Sequence, residues 1–110
     1  MSVSGDEMLR MLAALANPHR LRVIAALAGG RNYVSQLARQ LEMSRPLLHM
    51  HLQRLEAAGL VTSALELSDD GKAMRFFEVT PFALLLTPAT IAEAAPTLTD
   101  RDDADEQGSR

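Results

Sequence analysis

His49, Met50 and Gln53 fall on one side of a helix that turns about 100° per residue, with Arg45 flanking them. Pro46 shares that side, with Leu47 and Arg54 flanking it. Arginine and glutamine carry donors that match base edges and phosphate oxygens. Met50 or Leu47 can contact a thymine methyl. The opposite side holds Leu48, Leu52, Leu55 and Ala58, with His51 at its edge, and must pack on a core. Such a helix is a candidate major-groove reader of double-stranded DNA. Arg45, His49, Met50 and Gln53 are then expected to face bases. Ser44, Arg54, Lys72 and Arg75 are expected to contact phosphate, which sets register without reading sequence. An amphipathic helix with an indifferent solvent face has the same period, and periodicity alone does not separate the two.

Other chemistries find less support. His49 and His51 diverge by about 200° on a regular helix and cannot chelate one ion together. His19 opens another helix. His19 and His51 read as partly buried packing residues and His49 as a surface or DNA-facing one, so neither a metal site nor a cofactor is expected. A site shared between chains, or completed by a partner protein, stays open. The chain has no cysteine, hence no thiolate ligand, disulfide or cysteine nucleophile. No Gly-rich phosphate loop, nucleophile elbow or paired carboxylates outside the C-terminal end suggests an enzyme. Glu66, Asp69 and Asp70 stand beside Gly71 and read as turn residues.

Four helices are predicted to carry and precede this face. Met8, Met11, Leu12 and Leu15 make one stripe of the first. Asn17-Pro18 caps and starts the second, whose inward stripe is read as Leu21, Ile24, Ala25 and Ala28, and Gly29-Gly30 stops it. The third runs from about Tyr33 to Leu41, with Val34, Leu37, Ala38 and Leu41 facing in. Glu42-Met43 is a tight connection, Ser44 caps the fourth helix, and Gly59 ends it. Val61–Leu67 and Ala73–Thr80 are extended segments joined by a hairpin loop, Ser68–Lys72. Phe82–Leu86 fits either an edge strand or a buried extended segment. Thr87-Pro88 starts a short last helix that Pro96 ends.

The fold class expected is therefore α+β, a helix-turn-helix followed by a β-hairpin wing and a short C-terminal helix. The 110 residues make one small domain, residues 1–96, with a disordered acidic tail at 97–110. Net charge is −3, yet residues 100–110 hold five acids against two arginines. Arg10–Leu60 holds seven arginines against Glu42 and Glu56, a net of +5. A basic middle suits a nucleic-acid-facing module; a solvated helical surface with a solubilising tail accounts for the same count. The first seven residues lack the pattern of a signal peptide, and Phe82–Leu86 is too short to cross a bilayer, so no membrane partner and a cytoplasmic location are expected.

Three stretches carry a resemblance. Ala16-Asn17-Pro18-His19-Arg20-Leu21-Arg22-Val23-Ile24, Val34-Ser35-Gln36-Leu37-Ala38, and Ser44 through Val61 closing on Ala58-Gly59-Leu60-Val61 are similar to the ArsR/SmtB winged-helix repressors over roughly residues 8–80. The resemblance implies a homodimer joined through the first and last helices, a fourth helix in the major groove, and repression relieved by a ligand. Met8, Met11, Leu12, Leu15, Leu84, Leu86 and Ile91 would form the dimer interface. Members that sense arsenic or cadmium place cysteines where this chain has Tyr33, Val34 and Ser35. Zinc-sensing members use Asp, His and Glu where it has Thr90 to Ala94. The inducer-binding half of the family's function is therefore not carried over. A separate effector or sensing partner protein is the remaining expectation, and a winged-helix protein-interaction module is the alternative reading.

Overall fold

A computed structural model of the chain describes residues 3–99. The helices and strands run α1 (Gly5–Leu15), α2 (Pro18–Ala28), β1 (Asn32–Tyr33), α3 (Val34–Leu41), α4 (Arg45–Ala57), β2 (Val61–Leu67), β3 (Ala73–Val79) and α5 (Pro88–Ala94), with a 3₁₀ turn at Ala95–Thr97. The chain expected as one domain divides into two compact units: Ala13–Phe82, and the N-terminal twelve residues with those from Ala83 onward.

The larger unit holds the helix-turn-helix and the sheet. Asn17 Oδ1 accepts the His19 and Arg20 amides at 2.8 and 3.2 Å, the cap that lets α2 start at Pro18. The inward residues of α2 are Val23 and Leu27, not the expected Leu21, Ala25 and Ala28, which are exposed. This helix is apolar on several sides, so its period does not single out the face that packs. On α3, Leu37 and Ala38 are buried as expected. The helix closes when Glu42 turns to φ 55°, donating to Arg39 O while Met43 N donates to Ala38 O. Ser44 Oγ then accepts Leu47 N at 3.3 Å and starts α4. At the far end Gly59, at φ 79°, allows Leu60 N to reach back to Leu55 O at 2.9 Å. Leu60 and Val61 enter the core directly after that reversal.

The wing matches its expected bounds within a residue, pairing Val61↔Val79 through Leu67↔Ala73. One strand was not foreseen. β1 pairs antiparallel with β3, Asn32↔Phe77 and Tyr33↔Phe76, giving the order β1-β3-β2. Phe77 is buried, while Phe76 meets Tyr33 edge-on at 5.6 Å and lies 4.5 Å from the Arg31 guanidinium carbon.

In the smaller unit Ser4 and Glu7 form a reciprocal cap on α1: Ser4 Oγ accepts Glu7 N at 3.1 Å, and Glu7 Oε1 accepts Ser4 N at 3.0 Å. Thr87 and Thr90 do the same for α5. Phe82–Leu86 is neither a strand nor a buried segment: it is irregular, and Leu85 and Leu86 are exposed. Pro81 withholds the amide that would extend β3. Residues 97–99, expected to belong to the tail, are hydrogen-bonded to the start of α1. Thr97 Oγ1 accepts Gly5 N at 2.6 Å, and Thr99 N donates to Asp6 Oδ1 at 3.2 Å. The remaining acidic positions, 100–110, lie outside the described residues.

Candidate nucleic-acid interface

Three devices position α4: the left-handed turn at Glu42, the Ser44 cap, and the leucines beneath it. Leu48, Leu52 and Leu55 have no exposed surface and pin the inward side to the core. The outward side then follows from helical geometry. Arg45, Pro46, Leu47, His49, Met50, Gln53 and Arg54 are all exposed, as is Ser44 ahead of them. The sequence-predicted contacts are thus brought onto one surface. Ser44 has a double capacity: its lone pair caps Leu47 N, and its hydroxyl proton remains available to a phosphate oxygen.

The wing contributes Lys72 and Arg75, both exposed. Arg75 is partly committed, donating from Nη1 to Ser63 Oγ at 3.0 Å. Ser68 shapes the tip, where its hydroxyl binds the Asp70 carboxylate and its Oγ accepts Lys72 N at 3.2 Å. The Ser68 hydroxyl, with Lys72 N donating to Asp70 Oδ1 at 3.3 Å, holds Asp70 below its ordinary pKa. Asp69 and Asp70 lie in the turn, as read, but Glu66 lies in β2 and has a specific partner. Arg31 grips it with Nη1–Oε2 at 2.5 Å and Nη2–Oε1 at 2.9 Å. That hydrogen bond, with the attraction of the guanidinium, lowers the Glu66 pKa and raises that of Arg31. Arg31 therefore belongs to the wing's scaffold and not to the free positive charge of residues 10–60. Nothing local in the sequence links positions 31 and 66.

Of the residues expected at a dimer interface, Met8 is buried within the smaller unit and is corrected from a partner contact to a packing residue. Leu12 and Leu84, in that unit, and Leu15, in the larger one, are half-buried, as is Met11. Leu86 and Ile91 are exposed, as are Leu85 beside them and Leu9 and Leu98, which were not among the residues expected at an interface. Leu9 sits about 100° from Met8 on α1, so it flanks a stripe drawn through Met8.

At the places where the family's sensors hold metals, the side chains do not fit one. Tyr33 lies in β1, and Val34 and Ser35 open α3 without a thiolate. On α5, Thr90 Oγ1 is engaged by Thr87 N and Leu85 O, Ile91 has no donor atom, and Glu93 stands alone. Among the described residues, no cluster of three or more His, Cys, Asp or Glu could hold a metal ion.

A short helix, a tight turn, a longer helix with an exposed polar face and a three-stranded sheet ending in a hairpin define a winged helix-turn-helix protein. Residues 17–63 match the family described as "Bacterial regulatory protein, arsR family". The chain is 36% identical over 76 residues to the uncharacterized HTH-type transcriptional regulator MJ0229 of Methanocaldococcus jannaschii, covering 69% of this chain and 79% of that protein. It is 37% identical over 67 residues to the HTH-type transcriptional regulator CmtR of Mycobacterium tuberculosis, covering 61% of this chain and about half, 53%, of that relative. The homodimeric winged helix-turn-helix domain of Mb0332 from Mycobacterium bovis superposes over 96% of this chain and 87% of its own, with a TM-score of 0.61 at 23% identity. The chain belongs to the arsR family of transcriptional regulators.

Proposed function

We propose that this protein binds operator DNA as a homodimer, presents one α4 to each half of a short inverted repeat, and represses transcription. One observation carries the reading: α4 buries Leu48, Leu52 and Leu55 completely while every predicted base-facing residue on its other side is exposed. A two-fold dimer meets a two-fold operator, which is why an inverted repeat is the expected target. The dimer is supported by the smaller unit, where Leu9, Leu85, Leu86, Ile91 and Leu98 are exposed. Gly5, Met8, Leu9, Ile91 and Ala94 line an apolar groove of about 170 Å³ there. A second copy supplies the same apolar surface in return. Since the metal-sensing donor sets are missing, relief of repression falls to a different effector or a sensing partner protein.

Selecting bound sequences from random duplex DNA, with and without zinc, cadmium or nickel, tests this. A palindromic consensus unchanged by metal is expected; failure to enrich any sequence overturns the reading. Leu65 and Leu67 favour a second reading, in which the wing meets a protein. They are 61% and 76% exposed on β2, an edge strand. Salt separates the two, because DNA binding weakens log-linearly with salt and an apolar contact does not.

A further inference from the structure

His51 was placed at the edge of the inward side of α4, but the structure buries it to 3% exposure. Its Nδ1 lies 3.2 Å from Nη1 of Arg20 on α2. A guanidinium carries only donors, so Nδ1 must accept, and the neutral ring then holds its proton on Nε2. That Nε2 is buried without a partner. Arg20 is also held from behind, its Nε donating to Ala14 O at 2.6 Å in the last turn of α1. One side chain of α2 thus ties the end of α1 to the inward side of α4, through a bond that exists only while His51 is neutral. The His19 ring lies 5.5 Å from that of His51, tilted by 34°.

We propose that His51 is a positioning residue for the recognition helix, and that the Ala14–Arg20–His51 strut is a proton-sensitive device that loosens α4 from α2 in mild acid and so weakens DNA binding. The proposal rests on the DNA-binding reading of α4. Protonating Nδ1 would set an N–H against the Arg20 N–H and place two cations in contact, so the strut must open. The groups acting on the ring are Arg20 and His19 from α2 and Arg54 from α4 itself; α3 and β2, also packed on α4, bring no carboxylate that acts on it. Burial first, and then these cations, lower the His51 pKa from its ordinary 6.5. A histidine depressed in the fold costs nothing above its unfolded value. Its penalty grows as pH falls below about 6.5 and levels off below the folded value.

The test compares wild type with His51→Gln, whose amide oxygen still accepts from Arg20 but takes up no proton. Affinity for the selected operator duplex is measured from pH 7.5 to 5.5 at constant ionic strength, each protein normalised to its own value at pH 7.5. Hydrogen exchange of α4 amides is followed in the free proteins. Wild type should lose affinity more steeply than H51Q, by up to about tenfold per pH unit for one coupled proton, and its α4 amides should exchange faster in acid. Equal slopes together with equal exchange overturn the proposal. Should H51Q fail to fold, nitrogen-15 spectra of the wild-type imidazoles decide instead: a proton on Nε2 at pH 7.5 supports the strut, and one on Nδ1 refutes it. If no duplex binds at any pH, the DNA reading fails, and exchange in the free proteins still decides the strut.

Discussion

Glu42 occupies the left-handed region with φ 55° to join α3 to α4, a conformation that costs an L-residue about 1–2 kcal/mol. Glycine removes that strain and returns part of the gain as unfolded-chain entropy. Glu42→Gly should therefore stabilise the protein by about 1 kcal/mol, seen as a higher denaturation midpoint at unchanged slope. Gly5 is the opposite case. A Cβ there would stand 2.6 Å from Ala94 O and 2.7 Å from Leu98 Cγ. Gly5→Ala should cost about 1–3 kcal/mol and speed hydrogen exchange at the Leu98 and Thr99 amides. The outward side of α4 was legible at this scale because Ser44, Pro46 and three leucines, Leu48, Leu52 and Leu55, fix a helix start and its inward side. The depth of His51 was not, since its partner Arg20 lies on another helix and the hydrogen bond between them leaves no local pattern.

At the scale of elements, α4 and the wing should fail differently. Arg45→Ala and Gln53→Ala should each cost about 1–3 kcal/mol on the selected operator and relax base preference there, read by binding to a panel of single-base variants. Lys72→Ala should weaken all duplexes about equally and reduce the salt slope by about 1. The Arg31–Glu66 pair makes the wing acid-sensitive. A carboxylate whose pKa is lowered in the fold stabilises above its ordinary value, 4.5, and that contribution is lost as pH falls through the lowered value. Exchange at β2 amides should rise below about pH 4.5 in wild type and lose that step in Glu66→Gln. The hairpin was readable because Ser68–Lys72 is turn composition between two apolar runs. β1 has only two residues, too few to show a period, and is defined wholly by its pairing with β3. Phe82–Leu86 misled because an apolar run looks buried when no partner surface is visible.

For the whole molecule, the exposed apolar residues of the smaller unit set the expectation. Ile91→Asp should give monomers in sedimentation at micromolar concentration and lose operator affinity while keeping the wild-type circular dichroism. Removing residues 100–110 takes the net charge from −3 to 0 by stripping five carboxylates and two arginines. At physiological salt such charges act over about 8 Å. Truncation should thus raise non-specific affinity more than specific affinity, most clearly at low salt in a filter-binding titration. Composition made the basic middle and the acidic end visible. It could not show that Arg31 is paired, nor that the chain divides into two compact units within α1 and again after Phe82.

Tyr33 is the chain's single tyrosine and there is no tryptophan, so emission excited at wavelengths where phenylalanine does not absorb comes from one side chain. That side chain sits in the seam where β1 docks on β3, with its ring against Phe76. The seam closes a loop of chain that contains α3, α4 and β2, an ordering event with a larger entropic cost than any helical turn within it. The molecule therefore carries an optical clock wired to one late, long-range joint. In stopped-flow refolding its fluorescence should trail the far-ultraviolet dichroism of the helices, timing the moment at which the reading head becomes enclosed.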